Sequence, residues 1–391
     1  MTSETREQSS AAPIVIVGSG LAGYSLAREF RKLDTDTPLM LITADDGTSY
    51  SKPMLSTGFS KGKTAAELAQ ADAGAMAEQL QMDIRTSTRI TGIDTDAHEL
   101  QIGSERLPYR KLVLATGAEV ITLDLSGSGA GEVLSINDLS DYQRFRERLP
   151  EAGRVVILGA GLIGCEFAND LRNGGYQVSL VAPSVQVMPG LLPDEAAGAV
   201  QDALAQEGVS LHLGTTAERI DRIGTELSVT LASGEVLTAD LVVSAVGLRP
   251  RTALARAAGL STGHGIAVNR AQETSAPDVY ALGDGAEVDG LVLMYVLPLM
   301  ASARALAKTL AGERTEVRWG AMPVMVKTPC CPTAVCPPLS GAEGSWESQR
   351  QGNSVKAVFR DAGGRLLGFA LTGDAALEKQ ALTRELPPIH S

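Results

Sequence analysis

Cysteine is scarce in this chain, with four in 391 residues. That is too few for a disulfide framework at this length, so a reducing cytoplasm is the expected setting. Cys330, Cys331 and Cys336 stand close together, but no histidine is near them in sequence and their spacing is not that of a zinc site, so no metal is expected. Aromatic residues make up only 4%, which leaves the cores mostly aliphatic. Long apolar runs are missing as well. The longest, residues 291–303, falls short of the ~20 residues of a membrane span, and Arg304 and Lys308 interrupt its continuation. No membrane insertion is expected. Residues 1–12 are polar, which argues against a secretory signal and for a frayed terminus. Positive charge is in deficit, 34 basic against 46 acidic residues, and a net charge of −12 opposes broad affinity for nucleic acid or anionic membrane.

What is abundant is glycine, 41 residues, in a chain long enough for two or three domains. The run PIVIVGSGLAG (residues 13–23) is a buried-type strand followed by Gly18, Gly20 and Gly23, then a helical pattern over 24–33 and a second strand over 39–43. A second copy, RVVILGAGLIG (residues 154–164), places Gly159, Gly161 and Gly164 before a helical stretch ending near 173–175 and a strand over 178–182. In each copy the first glycine permits the turn, the second lets a pyrophosphate approach the backbone, and the third lets helix and strand pack closely. Phosphate charge then sits at a helix N-terminus, where free N–H groups and the dipole favour it. One such motif is weak evidence; two, each set between strands, predict two dinucleotide sites.

Three further segments separate the ligands. LVLATGA (112–118) is an apolar strand ending in Ala-Thr-Gly, LVVSAVG (241–247) is a similar strand after the second copy, and TSAPDVYALGD (274–284) ends in Gly283 and Asp284. With these the chain resembles the flavoprotein disulfide reductase superfamily of two dinucleotide-binding domains, one inserted into the other. The resemblance implies an α/β fold of two nested Rossmann-like domains plus a small C-terminal α+β domain. The divisions are 13–119 and 247–318 for FAD, 120–246 for NAD(P)H, and 319–391 for the tail. FAD is then expected on Gly18, Ser19, Gly20, Leu21, Ala22, Gly23, Ala44, Asp45, Ile90, Thr116, Gly117, Asp284 and Val296, and the nicotinamide dinucleotide on Gly159, Gly161, Leu162, Ile163, Gly164 and Gly247. Asp284, a carboxylate at a strand end, is suited to accept hydrogen bonds from ribityl hydroxyls. Relatives often carry an acid where Ala44 stands, and Asp45 is the candidate to replace it.

A disulfide reductase would carry a Cys-x4-Cys pair beyond the second strand, but YSKPMLST (50–57) has no cysteine, so thiol chemistry at the flavin is not expected. Cys165 reads as a small packing residue. ITADDG (42–47), YSKPMLS (50–56), GLIGCE (161–166), SAVGLRP (244–250) and YVLPLM (295–300) resemble the rubredoxin reductases and flavorubredoxin reductases. The resemblance implies that Lys52 and Glu166 pair beside the flavin N5 as the catalytic residues, with Lys327 a further flavin neighbour. An ammonium there stabilises charge developing on the ring, and the carboxylate holds it in place. Flavin adapts a two-electron hydride donor to a one-electron carrier.

A helix over 297–311 carries Pro298 in its first turn, where the missing N–H costs nothing, and its N-terminus could face the flavin N1–C2=O region. VAPS (181–184) offers neither the acid typical of NAD nor an arginine for a 2′-phosphate; the resemblance favours NADH and leaves NADPH open. From 319 onward short strands are expected, among them 355–359 and 366–371, then a final helix over 374–384. Arg304, Lys308, Arg314, Arg318 and Lys327, against Glu313 and Glu316, form a basic stretch that could steer a small acidic carrier. Rubredoxin is the leading acceptor. A ferredoxin or flavorubredoxin reductase, or a flavin- and nicotinamide-binding redox sensor without turnover, remains as an alternative. An oxidase or peroxidase would need the reactive cysteine absent from 50–57.

Overall fold

The structure is a computed structural model that describes residues 12–151 and 153–390. The frayed terminus expected over residues 1–12 therefore lies, Ala12 apart, outside the described residues. The chain divides into two compact units, the first made of Met1–Ser51, Ala69–Glu119 and Leu248–Trp319, the second of Lys52–Leu68, Val120–Gly247 and Gly320–Ser391.

The first unit is built on a five-stranded parallel sheet in the order Val279–Ala281, Lys111–Leu114, Ile14–Val17, Leu39–Ile42, Asp83–Arg85. Its central strands are apolar, apart from Lys111 at the start of one, as expected where both faces are covered. Ile14, Ile16, Leu39, Leu41 and Val113 pack with Leu26 and Phe30 of the helix Leu21–Arg31 and with Leu306 and Leu310 of the helix Val296–Leu310. The first helix begins at Leu21, three residues ahead of the periodic pattern, because Gly23 belongs to its first turn. The late helix starts at Val296 and holds Pro298 in its first turn.

The second unit contains a matching parallel sheet in the order Leu134–Ser135, Leu241–Ser244, Arg154–Leu158, Gln177–Ala182, Val209–Leu213. Beside it lies an antiparallel sheet of Val324–Val326, Thr333–Cys336, Leu366–Thr372, Ser354–Arg360 and Ser345–Gln351. Phe369 and Leu371 of that sheet form a small core with Leu382. The single helix expected over 374–384 is two pieces, a 3-10 turn Gly373–Glu378 and a helix Lys379–Glu385. Gly373 enters that turn at φ +56°, a conformation suited to glycine rather than to the body of a helix.

One stretch crosses the sequence division. Lys52–Leu68 sits inside the first glycine-motif region by sequence, yet its contacts group it with the second unit. No helix among the described residues is long and apolar enough to cross a membrane.

Candidate dinucleotide and redox site

In the first unit Gly18, Ala44, Asp45, Thr116, Gly117 and Asp284 follow the carboxyl ends of strands of the sheet, the usual place for a ligand in an open α/β sheet, while Val296 opens the late helix. Gly18 follows the strand Ile14–Val17 at φ +114°, and a Cβ there would stand 2.4 Å from the Ala115 carbonyl oxygen. At Gly23 a Cβ would fall 2.0 Å from the Gly18 oxygen, so helix and turn meet too closely for any side chain. At Gly20 a Cβ meets nothing within 4 Å. That glycine is spared for outside space, not for internal packing.

The following strand ends in a polar knot. Ser19, itself buried, donates to Asp45 Oδ1 at 2.7 Å and lies 3.0 Å from Thr43 Oγ1, while Thr43 and the Gly47 amide also donate to Asp45 Oδ1, at 2.6 and 2.9 Å. One oxygen of Asp45 is thereby fixed, and no hydrogen bond to the other is found among the described residues. Ala44 beside it is exposed and offers no polar group. Ile90 lies beyond the strand Asp83–Arg85 in a loop whose Ser87 and Thr88 amides donate to the carbonyls of Asp45 and Thr43. On the other side Gly283 packs on Ala22, with a Cβ position 2.7 Å from the Ala22 Cβ, and Gly285 lies against the Gly117 carbonyl. The late Gly283–Asp284 turn, the Thr116–Gly117 turn and the first glycine turn are thus brought together.

The second unit repeats the device. Gly159 has φ +112° and a Cβ position 2.5 Å from the Ala245 oxygen, Gly164 stands 1.9 Å from the Gly159 oxygen by the same measure, and Gly161 is open. Leu162 and Ile163 open the helix Leu162–Asn173, with Ile163 exposed. Gly247, at φ +113°, ends the neighbouring strand's extension. Ser184 turns inward and donates to the Gln186 carbonyl at 2.6 Å.

Helix ends decide whether these turns fit a pyrophosphate. The helices Ala73–Leu80 and Leu139–Arg148 are capped by Asp72 and Asp138. The helices starting at Leu21, Leu162 and Val296 have no capping side chain and no acid in the first turn. Their leading N–H groups are available to an anion or a carbonyl ligand, and both glycine turns therefore fit a dinucleotide.

Glu166, fully buried on the helix Leu162–Asn173, is the centre of a second cluster. It accepts from Ser56 Oγ at 2.5 Å, from the Lys327 amide at 2.9 Å, and from Lys327 Nζ at 2.9 Å. Lys327 Nζ also donates to Ser56 Oγ and to the Pro53 carbonyl. Lys52 donates to Asn137 Oδ1 at 2.8 Å. The sequence reading paired Glu166 with Lys52; the structure sets a second lysine, Lys327, on that carboxylate. Such a charge needs a cation and further donors when buried, and here it has both. Ser56 and the Asn137 contact were not singled out from the sequence, and no local signal marks a serine that meets a glutamate 110 positions away.

The four cysteines are free, and burial pushes the Cys165 and Cys330 thiols up to about 12. Thiols so rarely ionised are poor nucleophiles. The basic stretch is smaller than its sequence suggests, because Arg314 is held by Glu273 and Glu316 and Lys327 by Glu166. Arg304, Lys308 and Arg318 stay exposed and make no ion pair within 4.0 Å among the described residues.

Comparison with known proteins adds the following. Residues 12–307 match the family described as pyridine nucleotide-disulphide oxidoreductase, and residues 316–386 match the rubredoxin binding C-terminal domain. The chain is 55% identical over 378 residues to a rubredoxin-NAD(+) reductase of Alcanivorax borkumensis, covering 96% of this chain and 99% of that one. It is 45% identical to a rubredoxin-NAD(+) reductase of Acinetobacter baylyi, covering 96% and 98%. A ferredoxin reductase from Rhodopseudomonas palustris superposes with a TM-score of 0.85 at 26% identity, over 96% of this chain and 95% of that one.

Proposed function

This chain belongs to the pyridine nucleotide-disulphide oxidoreductase family, and from that premise we propose that it passes electrons from NADH through FAD to rubredoxin. The observation that carries the reading is the cluster around Glu166. Where a disulfide reductase needs thiols, this chain has Lys52, Ser56 and Lys327, with no cysteine from 50 to 57. Without a thiol relay, electrons reaching the flavin must leave directly to an outside carrier. The nearly full-length identity to rubredoxin-NAD(+) reductases, 55% and 45%, exceeds the 37% to a nitric oxide reductase FlRd-NAD(+) reductase of Vibrio vulnificus, which favours rubredoxin over flavorubredoxin.

FAD, when bound, supplies the conversion of a two-electron hydride into single electrons. We assign its pyrophosphate to Gly18, Ser19, Gly20, Leu21, Ala22 and Gly23, its adenosine ribose to Asp45 beside Ala44, and its ribityl chain to Asp284. Ile90, Thr116, Gly117 and Val296 line the remainder. NADH is assigned to Gly159, Gly161, Leu162, Ile163, Gly164 and Gly247. Lys52, Glu166 and Lys327 are assigned to the reactive end, where Glu166 keeps a lysine ammonium oriented toward charge that develops during transfer. The domain roles follow: 13–119 with 247–318 for FAD, 120–246 for NADH, and 319–391 for the tail that includes the rubredoxin-binding match. We place the reaction in the cytoplasm, in keeping with four free cysteines.

Stopped-flow reduction of the purified protein by NADH and by NADPH, followed by turnover with rubredoxin, ferredoxin and oxygen, tests this reading. Rapid bleaching by NADH and saturable reduction of rubredoxin are expected. A protein without FAD, or one that NADH reduces but that turns over only with oxygen, would overturn it.

A further inference from the structure

The helix Leu162–Asn173 does more than present a glycine turn at its N-terminus. Successive turns of it hold the Lys52–Leu68 segment, first through Glu166 and Ser56, then through Asp170. Asp170 is buried, 4% exposed, and none of the ion pairs within 4.0 Å among the described residues includes it. Its Oδ2 accepts from the Phe59 amide at 2.9 Å, and its Oδ1 accepts from the Ser60 amide at 3.1 Å and from the Ser60 hydroxyl. Burial pushes its carboxyl above the ordinary range, against the pull of those hydrogen bonds. An unpaired carboxylate in such a place is costly, and a structural link alone could be made from neutral groups.

The segment is gripped around this point as well. The Phe59 ring meets Tyr176 edge-on at 5.3 Å and has the Arg146 guanidinium 4.8 Å from its centroid. It lies so close to Gly174 that a Cβ there would come within 2.1 Å of the ring. The Lys63 carbonyl accepts from Tyr142 and Arg146, at 2.9 and 2.6 Å. The piece of chain that carries Lys52 is therefore an arm of the nicotinamide-side fold, although it lies in the flavin-side sequence.

We propose that Asp170 is a positioning residue for hydride transfer: by holding the Phe59 and Ser60 amides it fixes the Lys52–Thr57 turn, and so the Lys52 ammonium, to the helix that receives the nicotinamide dinucleotide. The inference rests on the assignment of Lys52 to the reactive end of the flavin, given above. Asp170 touches neither cofactor in this account and acts only through the arm. In Asp170→Asn an amide NH2 must face one of the two backbone N–H groups, so one side of the clamp is lost while the size is kept.

A double-mutant cycle on the FAD-loaded enzyme decides the matter, read as the limiting rate of flavin reduction by NADH and, separately, as the NADH dissociation constant. Asp170→Asn is expected to slow flavin reduction about tenfold with a change in NADH affinity below about twofold, and to add nothing in a Lys52→Met background, because residues acting through one another are non-additive. Equal slowing in both backgrounds would overturn the proposal, as would an unchanged rate in the single variant. If Lys52→Met itself leaves the rate unchanged, the assignment of Lys52 fails, and that outcome is separate from additivity. Should Asp170→Asn not fold, Ser60→Ala removes one donor from an exposed residue and is run through the same cycle, with about a twofold slowing expected that disappears without Lys52.

Discussion

Gly18 and Gly159 occupy the same place in two different units, at φ +114° and +112°, and in both turns the third glycine lies within 2.0 Å of the first glycine's oxygen by its Cβ position. The strands that follow differ. Register against the first strand aligns Thr43 with Ala182 and Asp45 with Ser184, and the turn itself has Ser19 where the other has Ala160. The first turn therefore closes on a network of Ser19, Thr43 and Asp45, while the second closes on alanines and a serine that bonds its own loop. The shared steric frame makes a site for a dinucleotide. The polar network ties one of the two turns to its neighbouring strand by side-chain hydrogen bonds, and preorganisation of that kind lowers the cost of holding a ligand. On the assignment proposed above, the networked turn serves the cofactor that stays and the other the substrate that leaves every turnover.

The largest effects come from breaking each frame in turn. Gly23→Ala is expected to yield protein without flavin absorbance, and Gly164→Ala a yellow protein whose reduction by NADH falls more than about 100-fold, since in each a methyl group must displace backbone. Loss of FAD in both variants would mean the two turns are not separate sites. Next in size is Glu166→Gln, on the helix Leu162–Asn173 of the second unit. It should slow flavin reduction about 10- to 100-fold, as removal of an oriented electrostatic group does, while FAD absorbance at constant protein concentration stays the same.

A sharper comparison gives the first turn the second turn's residues. Ser19→Ala with Asp45→Ser should speed FAD loss about tenfold in a dilution assay and leave the NADH dissociation constant of the reloaded enzyme as it was; the figure corresponds to about 1.4 kcal/mol. The smallest effect is expected far from both turns. Charge reversal at Arg304 and Lys308 should raise the rubredoxin KM several-fold at low salt, less at high salt, with NADH-to-benzoquinone turnover unaltered. Unchanged rubredoxin kinetics would remove these two side chains from the docking surface.

Much of the fold was legible because the deciding forces are local. A glycine is demanded where a Cβ would strike an oxygen a few residues away, as at Gly23 and Gly164, and continuous apolar runs mark strands covered on both faces. The helix at Leu21 begins three residues before its apolar period becomes visible for the same reason in reverse, since a turn whose glycines replace apolar residues hides the period. The pattern over 374–384 reads as one helix because composition does not distinguish a 3-10 turn from an α-helical one.

The sequence by itself determined the two dinucleotide turns and the absence of a cysteine pair at 50–57, whereas Glu166 is singled out only by the family resemblance. Only the tertiary structure decided that Glu166 is paired with Lys327, 161 positions away, and that Lys52–Leu68 belongs with the second unit, held there through Asp170. The physical reason is range. Backbone sterics act between neighbours and leave a readable pattern, whereas a buried carboxylate takes whichever donors the finished packing brings to it.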